Sequence, residues 1–345
     1  QPMREAMYGW MSKHLKGVGD GSPIPEPELK PEDREAVRVW PKNSRPATHI
    51  SLPQYSQHLA AAAMRKQVEP VHEQHWESEV EWRVAWLKRL CRVPGEVKPD
   101  ESKARGSKIG KFLEFDFEAE AGIGVTTRWE GGSEKLDRLA VVLDLGGADV
   151  ARISSEHARA KKSGWDVAVI ELRATGERAP AGNRIRRAHD HNSSQWAMWI
   201  GRPLITQWVT DIRRSLDQLG KLIYRSRLPR VRLVGRGGAG LLAVLAAAVD
   251  SRVDEIQAVG SALSVISDRP YAEGPMGTLI PGSLKRVGDV PQMMSLLAPR
   301  PLQVINPVSV SGMALDAKQA AAALRHTSAT YRVMKAAGAF RIDVI

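Results

Sequence analysis

The residues best suited to chemistry lie in Arg232-Leu-Val-Gly235-Arg-Gly237-Gly238-Ala-Gly240, which reads as a strand, a tight glycine turn and a helix. Two chemistries use that geometry. In a dinucleotide cradle, Gly235, Gly237 and Gly240 would satisfy G-x-G-x-x-G and let the backbone approach a pyrophosphate at the helix N-terminus. Asp254 or Glu255 would then bind a ribose. In a nucleophile elbow, G-x-S-x-G, small residues surround a serine that attacks a carbonyl. Alignment on Gly235 puts Gly237 at the serine position, and glycine has no side chain to attack with. The turn is suitable in shape for an elbow and chemically empty.

Other candidates are weaker. His189-Asp190-His191 would share one face if it were a strand and could then hold a metal. Its setting, RRAHDHNSS, reads instead as a polar loop with Asn192, Ser193 and Ser194 offering a helix cap. Ser261 and Ser264 follow a strand but have no assignable base. Trp196, Trp199 and Trp208 recur at roughly helical spacing, which predicts core packing ahead of a sugar-stacking platform. Arg173 and Arg202 are read as ion-paired with nearby acids ahead of lining a pocket. Cys91 is the single cysteine, so no internal disulfide or cysteine-based zinc site exists, and its place on an apolar stripe predicts burial.

Composition narrows the classes. The 345 residues are 43% hydrophobic and 26% charged, which suits a globular chain and excludes wholesale disorder. The 50 basic against 39 acidic residues give +11. The basic residues are scattered, with Arg184, Arg186, Arg187 and Lys161, Lys162 as the densest clusters. No zinc-finger, basic-heptad or RNP-like pattern accompanies them, so nucleic acid is not an expected partner. No charge-free apolar run approaches the ~20 residues of a membrane span.

The positioning elements follow from periodicity. Arg4 to Lys16 predicts an amphipathic helix ending at Gly17, and the proline-rich stretch after it predicts a boundary within 20–55. Residues 54–93 predict one helix striped by Trp76, Val80, Val84, Leu87 and Cys91; 98–108 predict a loop. A hairpin around Ala121-Gly122 is followed by strands at 139–145, 166–172, 231–234, 256–259, 301–306 and 340–345, with helices at 150–162, through Trp208 to Leu219, from after Gly240 to Val249 and at 316–336. Apolar strands alternating with helices predict an α/β fold, a mostly parallel sheet with an antiparallel N-terminal hairpin and helices on both faces.

This order resembles the α/β-hydrolase superfamily, in particular bacterial acetylxylan-esterase-like and prolyl-oligopeptidase-like hydrolases. Val169-Ile-Glu-Leu-Arg173-Ala-Thr-Gly176-Glu177 is similar to their D-x-R-G-x-G-E. Leu297-Ala-Pro-Arg300-Pro-Leu is similar to their L-x-P-R-P-L. The resemblance spans about 110–345. Met3 to Gly17 with the Pro23–Pro27 tail resembles the C-terminal helix that follows the histidine of such esterases. A tandem protein is implied: 1–40 as the end and linker of an upstream hydrolase unit, 50–345 as a second domain truncated at its last strand.

By the same resemblance the acid position falls at Ser309. Asp316 reads as a first-turn helix residue, with a displaced acid as the alternative. The histidine position lies beyond Ile345. Backbone amides near Gly146, Gly147 and Gly238, with Arg173, are implied as a vestigial oxyanion pocket. The expectation is therefore a degenerate, non-catalytic hydrolase-like domain without cofactor or metal. It would be a structural or substrate-positioning partner of an active upstream unit, with polysaccharide as a second partner and an exported or periplasmic bacterial setting. The alternatives are an active carboxylic-ester hydrolase on acetylated polysaccharide and a dinucleotide-binding domain.

Overall fold

The computed structural model describes residues 1–92, 105–109, 111–132, 136–225, 227–267, 271 and 276–345. It divides into two compact units, Gln1–Ser51 and Leu52–Ile345.

In the first unit, helix α1 (Pro2–Lys16) ends at Gly17, whose φ of 67° forms a left-handed cap. The following tail folds back along the helix. Glu26 accepts hydrogen bonds from Arg4 and Tyr8, and Ile24 N–H donates to the Glu5 carbonyl. Gly9 is the contact point: a Cβ there would lie 2.6 Å from the Ser22 carbonyl carbon. Met3, Met7, Trp10, Met11 and Leu15 remain exposed.

The second unit opens with α2 (Leu52–Met64) and α3 (Glu73–Leu90). The single helix expected over 54–93 is thus two. Pro70 removes a backbone donor between them, and the His72 ring caps α3 by accepting the His75 N–H at 3.2 Å. The stripe holds: Trp76, Leu87 and Cys91 are buried, and Val80 and Val84 pack partly buried against the same core.

The described residues then form a nine-stranded sheet in the order β1-β2-β3-β5-β4-β6-β7-β8-β9. Its strands are β1 (Arg105–Ile109), β2 (Phe112–Glu120), β3 (Ile123–Glu130), β4 (Arg138–Leu143), β5 (Asp166–Glu171), β6 (Arg230–Arg236), β7 (Glu255–Val259), β8 (Leu302–Ile305) and β9 (Phe340–Asp343). The hairpin is β2–β3, turned by Gly122 at φ 74°. β1, where a loop was expected, pairs antiparallel with β2; its polar RGSKI sequence carries no strand periodicity, so the ladder fixes it from outside. From β5 through β9 all pairs are parallel.

Helices α4 (Ala148–Arg152) and α5 (Ser155–Lys162) follow β4, with Ser154 capping α5 through its hydroxyl. α6 (His191–Trp199) and α7 (Leu204–Leu222) follow β5, and α8 (Ala239–Val249) follows β6. α9 (Ser283–Arg286) and α10 (Val290–Ser295) precede β8; α11 (Ala317–Ala323) and α12 (Arg325–Val333) precede β9. The large apolar core lies between one sheet face and α3, α7, α8, α10 and α12. A smaller cluster, with Val142, Val167, Val169 and Trp165, lies under α4 and α5 on the other face. Coverage of both faces explains the continuous apolar runs Leu139–Leu143 of β4 and Val167–Ile170 of β5. No helix of the described residues is long and apolar enough to cross a membrane.

Candidate functional site

The glycine turn sits where β6 meets α8. Gly237 takes φ 55°, a left-handed backbone. A Cβ there would meet nothing within 4 Å, and the residue is exposed. Gly235 and Gly240 are the opposite case. A Cβ on Gly235 would lie 2.7 Å from the Gly240 Cα, and one on Gly240 would lie 2.7 Å from the Ser261 Cβ. These two glycines let strand and helix cross at contact; Gly237 alone points a vacant position outward. The Gly238 amide has no hydrogen-bond partner among the described residues. Such an amide at a helix N-terminus can stabilise a developing oxyanion.

The dinucleotide reading needs an acid at this end of β6. The Asp254 carboxylate accepts the Val231 N–H at 2.7 Å, and Glu255 pairs with Arg230 and Arg232. Both carboxylates therefore lie at the start of β6, the end opposite the glycine turn.

Next to the elbow, charges pair with one another. Arg236 reaches Asp144 at 2.9 Å and Glu156 at 2.8 Å. The amides implied as oxyanion donors after β4 are occupied: Gly146 N–H donates to Asp144 Oδ1 and Gly147 N–H to the Asp144 carbonyl. Ala148 N–H donates to Glu171 at 2.7 Å. Burial raises the Glu171 carboxyl pKa against those donors. Gly147, at φ 106°, is required for approach, since a Cβ would lie 2.7 Å from the Gly176 Cα.

Arg173 does not line a pocket. Its guanidinium is buried and grips Asp211 through Nε and Nη2, with further bonds to Glu120 and Gln207. Burial disfavours the cation, but Asp211 and Glu120 outweigh it and hold the pKa above the ordinary value. Arg202 bonds Glu120 at 2.6 Å, so both arginines are ion-paired as their sequence setting suggested.

The loop after β8 carries no carboxylate from Asn306 to Gly312. Ser309 Oγ lies 2.8 Å from Ser311 Oγ and accepts the Met313 N–H. Asp316 caps α11 in a reciprocal box with Gln319, as a first-turn residue should. Ser261 is buried and donates to the Gly237 carbonyl; Ser264 donates to Asp289 at 2.5 Å. Burial pushes the Asp289 carboxyl pKa up.

His189, Asp190 and His191 do not converge, and no metal-binding group of three or more such side chains occurs among the described residues. The cap expected from Asn192, Ser193 or Ser194 is also displaced. α6 begins at His191, and the buried Asp190 side chain instead accepts the Met276 and Gly277 amides at 2.9 and 2.8 Å. Of the three tryptophans Trp196, Trp199 and Trp208, only Trp208 is core. Trp196 and Trp199 are 50% and 76% exposed, because α6 covers the body with Ser194 and Ala197 and turns its other face outward.

Three solved structures share this architecture. A Bacteroides fragilis protein assigned as an acetyl xylan esterase aligns with TM-score 0.63 at 12% identity, over 84% of this chain and 82% of its own. A promiscuous carbohydrate esterase of family 15 from a marine bacterial metagenome gives TM-score 0.53 at 12% identity, over 87% and 93%. A glucuronoyl esterase of that family from Caldicellulosiruptor kristjansonii gives TM-score 0.50 at 14% identity, over 79% and 81%. The fold is that of the α/β-hydrolases. No family model and no curated protein sequence matches the chain.

The β6–α8 turn has the strand–turn–helix shape that a nucleophile elbow requires. Val308 bridges Ala262, so the loop after β8 runs beside the Ser261 segment that holds the glycine turn. At the turn's outermost position, Gly237, space is open and no side chain is carried. Nothing in the sequence around 182–202 signalled the exposed α6 face, since Trp at helical spacing also describes a core stripe.

Proposed function

We propose that this chain is a non-catalytic α/β-hydrolase-like domain of carbohydrate-esterase type. It would act as a structural or substrate-positioning partner of an active esterase unit, placed upstream in the same polypeptide. The observation that carries this reading is Gly237: an elbow backbone in the left-handed region, open space for a side chain, and no side chain. An acyl-transfer mechanism begins with attack by a nucleophile, and none is presented there.

The rival serines support the same reading. Ser261 is held on the elbow carbonyl and Ser264 on a buried carboxylate, and neither is hydrogen-bonded to a histidine. Sequestered hydroxyls without a base are poor nucleophiles. The neighbours' carbohydrate-esterase character favours polysaccharide as the material the domain handles.

The test is turnover of p-nitrophenyl acetate by the chain. The expected rate is the buffer rate, with no labelling by a fluorophosphonate serine probe. Turnover abolished by that probe would establish the active-esterase alternative instead. Gly237→Ser alone should not create activity, because Arg236, Asp144 and Glu156 pair with one another and supply no general base; measurable rescue would contradict this reading.

A further inference from the structure

We propose that the outward face of α6 and the arginine turn before it form a binding site for an acidic polysaccharide. Asn192, Trp196, Trp199 and Ile200 recur at i, i+4, i+7 and i+8, which places them on one helical face. Trp199 and Ile200 are 76% and 64% exposed and Trp196 50%. Two large aromatic rings left open on one short helix are a surface built for contact.

The basic turn is anchored to the same face. The Asn183 carbonyl accepts the Asn192 N–H at 3.1 Å, Asn183 Oδ1 accepts the Ser193 N–H at 2.8 Å, and Asn192 Nδ2 donates to the Gly182 carbonyl. From Asn192 to Trp196 the helix rises only about 6 Å. Residues 184–188 then form a tight turn, closed by reciprocal bonds between Ile185 and Ala188 at 3.1 Å. Arg186 and Arg187 stand at its tip, with Arg186 at φ 53°. Arg184 Nε donates to the Arg186 carbonyl and braces the turn.

The charges of Arg184 and Arg186 are available. All three arginines are exposed, and neither Arg184 nor Arg186 has an acidic partner among the described residues. Elsewhere Arg128, Arg173, Arg202, Arg236 and Arg252 are all ion-paired. Exposed indole rings on the helix to which the arginine turn is tied match a chain of sugar rings bearing carboxylates. The rings stack on pyranose faces, and the guanidinium forks take carboxylates in bidentate geometry.

This site rests on the substrate-positioning reading and narrows its ligand to uronic-acid-bearing glycan. Titration calorimetry of the full chain with polygalacturonate, at ~0.1 M salt, tests it against neutral mannan and poly-glutamate. Saturable binding to polygalacturonate is expected, at least tenfold tighter than to either control. The double variant Trp196→Ala/Trp199→Ala should weaken it tenfold or more. The triple variant Arg184→Gln/Arg186→Gln/Arg187→Gln should weaken it similarly and reduce its salt dependence. All five side chains are exposed, and unchanged circular dichroism confirms that the variants fold. No saturable binding, equal binding of poly-glutamate, or full affinity in the Trp variant overturns the proposal. So does sedimentation showing self-association that the Trp variant abolishes, which assigns the face to a second copy. Preference for mannan defeats the acidic ligand but leaves the substrate-positioning reading standing; esterase turnover defeats that reading but leaves the site.

Discussion

Ser261 donates its hydroxyl to the carbonyl oxygen of Gly237 at 2.9 Å, and so locks the segment after β7 onto the elbow after β6. The same side chain fills the space a Cβ would need on Gly240, one turn along. The glycine turn is therefore clamped from the segment after the neighbouring strand. Its conformation does not depend on carrying a nucleophile.

Gly240→Ala is the direct probe of that clamp. The added methyl would lie 2.7 Å from the Ser261 Cβ and closer still to its hydroxyl, inside a buried helix start. Overpacking of this kind costs about 1–3 kcal/mol. Urea unfolding should show a lower midpoint, and Gly240→Ala/Ser261→Gly should recover part of the loss. A midpoint equal to that of the natural chain would mean the segment after β7 can move away freely.

Gly237→Ser asks the converse question. Space is open, so only the left-handed backbone opposes a side chain, at about 1–2 kcal/mol. The variant should fold and lose that amount in the same assay. A larger loss would show that Gly237 packs against something.

Arg173 and Asp211 form the most enclosed charge pair beside β5. Removing one partner strands the other in a low-dielectric site, at about 3–5 kcal/mol. Arg173→Met should show that loss in denaturant midpoint, and Arg173→Met/Asp211→Leu should recover much of it. Equal stability of the single variant and the natural chain would show that Asp211 can be neutralised without cost.

The legible part of the fold was whatever carried its own periodicity. The centres of β4 and β5 are apolar because both sheet faces are covered, and β2 alternates along Phe115, Phe117 and Ala119. What failed was local punctuation. Pro70, Ser154 and Leu324 each divide a helix that periodicity joined, since caps and breaks act on single residues. At the site, the glycine turn was readable because steric need for glycine leaves a spacing. That Arg173 is ion-paired was readable, but not that its partner is Asp211, 38 residues away, which the fold chooses. Trp196, Trp199 and Trp208 differ only in which helix face meets the body.

The tryptophans can be separated by stability. Trp208 is fully buried and its Nε1 donates to the Arg173 carbonyl, whereas Trp199 is 76% exposed. Trp208→Ala should cost about 3–5 kcal/mol. Trp199→Ala should stay within about 0.5 kcal/mol. Comparable losses at both positions would place α6 face-down and remove the exposed aromatic row.

The α3–α12 contact carries a pH dependence with a defined sign. His326 on α12 is buried, its ring edge-on to Trp76 at 5.6 Å, its Nδ1 3.2 Å from Glu69. Its Nε2 has no hydrogen-bond partner among the described residues. Burial lowers its pKa, Arg83 and Arg325 lower it further, and Glu69 opposes them without prevailing. The folded state therefore binds the proton less readily than the unfolded chain, where histidine titrates near ~6.5. Stability from this group is full above that value. It falls as pH drops from there towards the depressed folded value, because the unfolded state takes up the proton first. Thermal unfolding should show Tm falling between about pH 6.5 and 5, and His326→Gln should flatten that slope. A slope unchanged in the variant would assign the acid sensitivity to His157, whose pKa burial also lowers.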